Sequence, residues 1–160
     1  MSILSLAKRL RNDRAGFGAM ELGLALPFLV LLSLGMVDAS RLIGTKIDFE
    51  QAAQRTTDFA LARRDVLASN GATLKAEAAE AAGVSQNDVT VQIFLECNGT
   101  KQSDFTSVCP SGQVPARFVN INITSDVDTE FDWSGFARVL GVKAFDQAVS
   151  VSGDSLVRFQ

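Results

Sequence analysis

The 160-residue chain contains no histidine and only two cysteines, which leaves no material for a Ser-His-Asp or Cys-His nucleophile or for an imidazole zinc site. Its formal charge is −3, and the first sixteen residues are the basic exception, with Lys8, Arg9, Arg11 and Arg14 against Asp13 alone. The remainder is acidic and has no basic patch to track phosphates, so nucleic acid is excluded as a partner.

An apolar run follows over residues 17–37, with Glu21 as its one charged residue. About 20 apolar residues cross the hydrocarbon core of a bilayer, so this run is predicted to be a transmembrane helix. The basic flank assigns the N-terminus to the cytoplasm by the positive-inside bias. The run is longer than the core of about 7–15 residues in a removable signal peptide. Beyond it only Asp38-Ala39-Ser40 resembles a cleavage site, and weakly. Removable signal and plain anchor remain the alternatives.

A carboxylate at the centre of a membrane helix costs about 2.5–3.5 kcal/mol on insertion scales, so Glu21 asks for a partner. Cleavage after Gly16 would supply one, because the new amine of Phe17 would lie four residues, one helical turn, before Glu21. A charge pair is tolerable in lipid where a lone charge is not, and it can set the axial register of packed helices. Pro27 removes a backbone donor and is predicted to kink the helix. Gly18, Gly23, Ala25 and Gly35 are small enough for close helix contact, although such residues are simply common in membrane spans.

Past Asp38 the pattern becomes amphipathic. Phe49, Ala52, Ala53, Thr56, Phe59, Ala60, Arg63 and Leu67 recur at i, i+3, i+4 spacing, opposite Lys46, Asp48, Gln51, Arg55, Asp58 and Arg64. One long helix is therefore predicted over 18–68, ended by Ser69-Asn70-Gly71. A second, short helix over 73–82 stops at Gly83. The period then drops to two. Strands are predicted over 89–97, 117–124 and 148–159, with Gly153 read as the site of a bulge. Between the last two, 131–140 reads as a short helix covering the sheet. Its Phe131, Trp133 and Phe136 are expected to fill local core rather than form an exposed contact patch. A long helix followed by a small antiparallel sheet is an α+β layout.

Cys97 and Cys109 would most simply form one disulfide in an exported domain, stabilising it by about 2–4 kcal/mol; two reduced, buried thiols are the alternative. Asp126-x-Asp128-x-Glu130-x-Asp132 has part of a calcium loop's spacing. Phe131 stands where that loop needs glycine and Ala137 where it needs glutamate, so a solvated turn is expected, with no metal and no cofactor. Asn98-Gly99-Thr100 and Asn122-Ile123-Thr124 match the glycosylation pattern and are read as accidental.

Gly16-Phe17 followed by Glu21 resembles the processing site of type IV prepilins. The longer pattern is similar to the TadE-like proteins of the tight-adherence, Flp-type pilus system. It reads Arg14-Ala15-Gly16-Phe17-Gly18-Ala19-Met20-Glu21, then an apolar stretch through Leu26-Pro27. It continues with Gly35-Met36-Val37-Asp38-Ala39-Ser40-Arg41 and Gln51-Ala52-Ala53-Gln54-Arg55. The departures are Ala15 between arginine and glycine, Phe17-Gly18-Ala19-Met20 for small and β-branched residues, and Thr56-Thr57-Asp58 for a Glu-Gly-Ala-like run. The major pilins of this system are much shorter and carry a Glu-Tyr pair. Glu21-Leu22 and a large domain set this chain apart from them.

The resemblance implies a pilin-like fold in four parts: a basic cytoplasmic leader (1–16) that is cleaved, a transmembrane assembly helix (17–37), an amphipathic extension (38–68) and a periplasmic α+β domain (69–160). It implies a non-enzymatic minor pilin or pseudopilin, made as a single-pass precursor in the bacterial inner membrane and cut after Gly16 by a prepilin peptidase. Glu21 would pair with the Phe17 amine, whose methylation stays open. Partners would be the peptidase, other pilins or pseudopilins and the inner-membrane assembly platform, in support of a pilus for surface adhesion. An uncleaved, membrane-anchored periplasmic binding module is the alternative.

Overall fold

A computed structural model describes residues 15–63, 71–139, 141 and 147–159. The leader before Ala15, the expected helix end near Ala68 with Leu67, and the Ser69-Asn70 turn lie outside the described residues. The chain divides into two compact units between Ala39 and Ser40.

Helix α1, Ala15–Ala62, begins in the first unit and contains Pro27 without interruption. The proline removes one donor from the hydrogen-bond ladder, and the helix continues on either side of it. Apart from Glu21 and Ser33, the side chains from Met20 to Val37 are apolar on every side of the helix. Leu22, Leu24, Phe28, Leu32 and Met36 are all exposed. Among the described residues, α1 is the one helix long and apolar enough to cross a membrane, and none of its apolar window is buried within the protein. A helix that is apolar all round is suited to apolar surroundings.

The second unit is built on a four-stranded antiparallel sheet. Its strands are β1 (Val89–Cys97), β2 (Thr100–Lys101), β3 (Pro115–Asp128) and β4 (Ala148–Arg158), in the order β2-β1-β3-β4. The register lines up Val89, Ile123 and Gly153, then Val91, Ile121 and Ser155, then Ile93, Val119 and Val157. This alternation puts the branched aliphatic residues on one face. Phe49, Ala52, Ala53 and Ala60 of α1 belong to the same buried core as Val89, Val119, Ile121, Ile123 and Val151. The predicted polar positions 46, 48, 51, 55 and 58 are exposed, as is Arg63, which the periodicity placed on the buried side. Buried Thr56 returns its hydroxyl to the Ala52 carbonyl at 2.8 Å, and Thr57 meets Ser155 of β4 at 3.0 Å.

Gly153 is not at a bulge. The β3–β4 register runs unbroken through Ile123 and Gly153. The reason for glycine is the helix above it: a Cβ there would fall 2.5 Å from the Glu50 nitrogen and 2.6 Å from the Phe49 carbonyl carbon. A strand glycine can mark close backbone approach instead of a bulge, and here it does.

Helix α2, Ala72–Ala82, adds Leu74, Ala78 and Ala79 to the core. It ends in a Schellman closure, with Gly83 in the left-handed region at φ 68, its N–H on the Glu80 carbonyl and that of Val84 on Ala79. Two features of the sheet exceed the sequence expectation. β3 runs on to Asp128, and β2 forms a hairpin with β1 through Asn98-Gly99, both at positive φ. An Asn-Gly pair between two strands is the strongest short hairpin signal. The short helix α3 is Trp133–Val139.

Candidate functional site

Gly16, Phe17, Glu21 and Pro27 all fall within α1. Positions 17 and 21 are one turn apart and so share a face of the helix. Glu21 is exposed, and so are its neighbours Met20, Leu22 and Leu24. It is a single carboxylate on an otherwise apolar surface.

The polar residues that follow the apolar run are engaged. Asp38 is buried, 5 % exposed, and is not without a partner. Arg41 forms an ion pair with Glu130, 89 residues further on. Its position in the Gly35…Asp38…Arg41 pattern marked Arg41, but nothing in the sequence pointed to Glu130.

Glu130 opens a compact turn into α3. The Thr129 N–H donates to the Gln147 carbonyl at 2.9 Å, tying the turn to the start of β4. Phe131, Trp133 and Phe136 pack edge to face, with ring centres 4.7 to 6.5 Å apart, and all three are half-buried. Asp132 caps α3 by accepting from the Gly135 N–H and the Ser134 hydroxyl, each at 2.7 Å. The Gly135 N–H first, then the Ser134 hydroxyl, hold its carboxyl below the usual aspartate range.

The acidic row 126–132 is therefore not one solvated turn. Asp126 and Asp128 stand on β3, Glu130 pairs with Arg41 and Asp132 caps a helix. Among the described residues no group of three or more His, Cys, Asp or Glu side chains is placed to hold a metal ion.

Cys97 and Cys109 are joined by a disulfide, with Cα atoms 5.6 Å apart. The bond ties the end of β1 to the segment that leads into β3. Within that loop Asp104 accepts from the Thr106 N–H at 2.9 Å and from its hydroxyl. The backbone bond first and the hydroxyl second lower its pKa. Phe105 packs against Phe159 and under the Arg117 guanidinium. On β1 and β3, Phe94 stacks on Phe118 with the Lys101 ammonium 4.2 Å above the Phe94 ring. These contacts order a polar loop, and none of them assembles a nucleophile with a base.

An apolar N-terminal helix that becomes part of a small antiparallel-sheet unit is an α+β, pilin-like layout. With the disulfide in the C-terminal unit, it is consistent with a membrane-anchored protein whose domain lies outside the cytoplasm. Residues 16–58 match the family model described as TadE-like protein. The likeness to that family, which is associated with Tad pilus assembly and is not an enzyme family, covers this N-terminal segment of the chain. No curated protein and no solved structure gives a significant match to the chain.

Proposed function

We propose that the protein is a minor pilin or pseudopilin that supports assembly of a Tad/Flp-type pilus for surface adhesion. The observation that carries this reading is the TadE-like match, which begins at Gly16 and runs through Glu21, Pro27 and Arg41. Prepilin peptidase cuts after Gly16 and leaves Phe17 as the N-terminus. The new ammonium and the Glu21 carboxylate lie one helical turn apart. They neutralise each other in lipid, within one subunit or between neighbours, where either alone would be costly. Pairing between neighbours sets how far one helix slides along the next. The domain stays on the periplasmic side, and the other pilins and the inner-membrane platform are the partners.

The test is the N-terminal sequence of protein purified from membranes of peptidase-positive and peptidase-negative cells. The expected result is a start at Phe17 that depends on the peptidase. A start at Met1 or Ser2 in both strains would identify an uncleaved anchored module and remove the amine from the Glu21 argument.

A further inference from the structure

The Glu130 turn is joined by an ion pair to Arg41 of α1, which follows the apolar run in the chain. Arg41 is four residues past Val37. Along a helix that is about 6 Å, and even a fully extended chain would give less than about 15 Å. The polar layer on each side of a bilayer is about 5–8 Å deep. Arg41 therefore stands in or just above the headgroup layer, whatever the angle at which the chain emerges. The ion pair holds Glu130 there with it, and the aromatic turn follows at the next residue.

The composition of that turn suits the position. A Trp side chain, with an apolar ring and one polar N–H, favours the membrane–water interface. Val139, the last residue of α3, is 85 % exposed, and exposed Arg138 beside it can reach lipid phosphate with its stem against apolar surface. On α1, Ile43 is 61 % exposed two residues beyond Arg41. A half-buried aromatic cluster that continues into an exposed valine and arginine fits a phospholipid surface better than open water.

We infer that the turn and helix carrying Phe131, Trp133, Phe136, Arg138 and Val139 rest on the phospholipid headgroups of the bilayer that α1 crosses. The inference depends on the membrane anchoring proposed above. The contact gives the domain a second attachment beside the helix and restrains its tilt over the membrane before assembly. Leaving the membrane for a fibre then requires giving up that contact.

Trp133 is the only tryptophan of the chain, so its fluorescence reports this turn alone. The full chain is reconstituted in phosphatidylethanolamine–phosphatidylglycerol vesicles and floated on a density gradient. Its emission is then read with spin labels at the lipid headgroup or deep in the acyl chain. The expected result is a floating protein whose Trp133 loses most of its emission to the headgroup label and little to the deep label. Val139→Glu, a change at an exposed site, should float equally and lose much less. A floating protein whose Trp133 is untouched by either label would overturn the inference and leave anchoring intact, and so would blue-shifted but unquenched emission from a site covered by a second copy. Protein that fails to float would overturn both.

Discussion

At Gly153 the missing side chain lets α1 lie directly on β4. Its would-be Cβ meets backbone atoms of Phe49 and Glu50, and backbone cannot rotate aside as a side chain can. Gly153→Ala is expected to cost about 1–3 kcal/mol, as overpacked cores do, read as a lower urea midpoint at unchanged slope. Gly44 is the counter-case. It lies within α1 with nothing within 4 Å of its would-be Cβ. Gly44→Ala should stabilise by about 0.5–1 kcal/mol, because a helix interior penalises glycine's freedom. Both residues are plain glycines in the sequence, and only their surroundings separate them. Asp132 makes a pH prediction at the same scale. Its carboxyl is depressed by the Gly135 N–H and the Ser134 hydroxyl. That contribution is present above the unfolded aspartate pKa and disappears as pH falls through the lower folded value. The first turn of α3 should therefore loosen only below about pH 4, seen as a shift of the Gly135 amide resonance. Asp132→Asn should keep a cap and lose that pH dependence.

Among the elements, α2 is the clearest case of a local pattern realised in the fold. Its start, its Gly83 stop and its alanine-rich buried face follow from a dozen residues. Leu74, 0 % exposed, pins it to the sheet. Leu74→Ala should cost about 2–5 kcal/mol by transfer and cavity terms, measured by thermal or urea unfolding. The strands were readable in the same way, since branched residues alternate along each one. The β1–β2 hairpin was missed although Asn98-Gly99 announced it, because β2 has only two residues and no alternation of its own. The disulfide acts on this element. Replacing Cys97 and Cys109 by Ser should cost about 2–4 kcal/mol and make the loop between them the first site of limited proteolysis. The hairpin itself should persist, since the Gln102 N–H still donates to the Leu95 carbonyl at 2.8 Å.

For the whole molecule, the TadE-like pattern and the pilin-like layout make Glu21 the residue whose chemistry is easiest to isolate. Glu21→Gln removes a charge from an exposed position and should leave membrane insertion and the domain's unfolding unchanged. Co-purification with other pilins should fall to background if the amine–carboxylate pair sets subunit register. Unchanged co-purification would sink that role and favour the plain anchored module. The family pattern was legible from Gly16 onward, where spacing over a few residues carries the meaning. It was not legible at Arg41–Glu130 or in the aromatic turn, where the partners are separated by most of the chain. By itself, the sequence determined the apolar run, the family pattern, the amphipathic face of α1 and the two-residue alternation of the strands, because each rests on neighbours within a few residues. Tertiary structure alone decided which carboxylate meets Arg41, why position 153 is glycine, and that the acidic row serves a strand, an ion pair and a helix cap. Those outcomes depend on which elements come together, and many distant residues carry the charge or size to compete for each place.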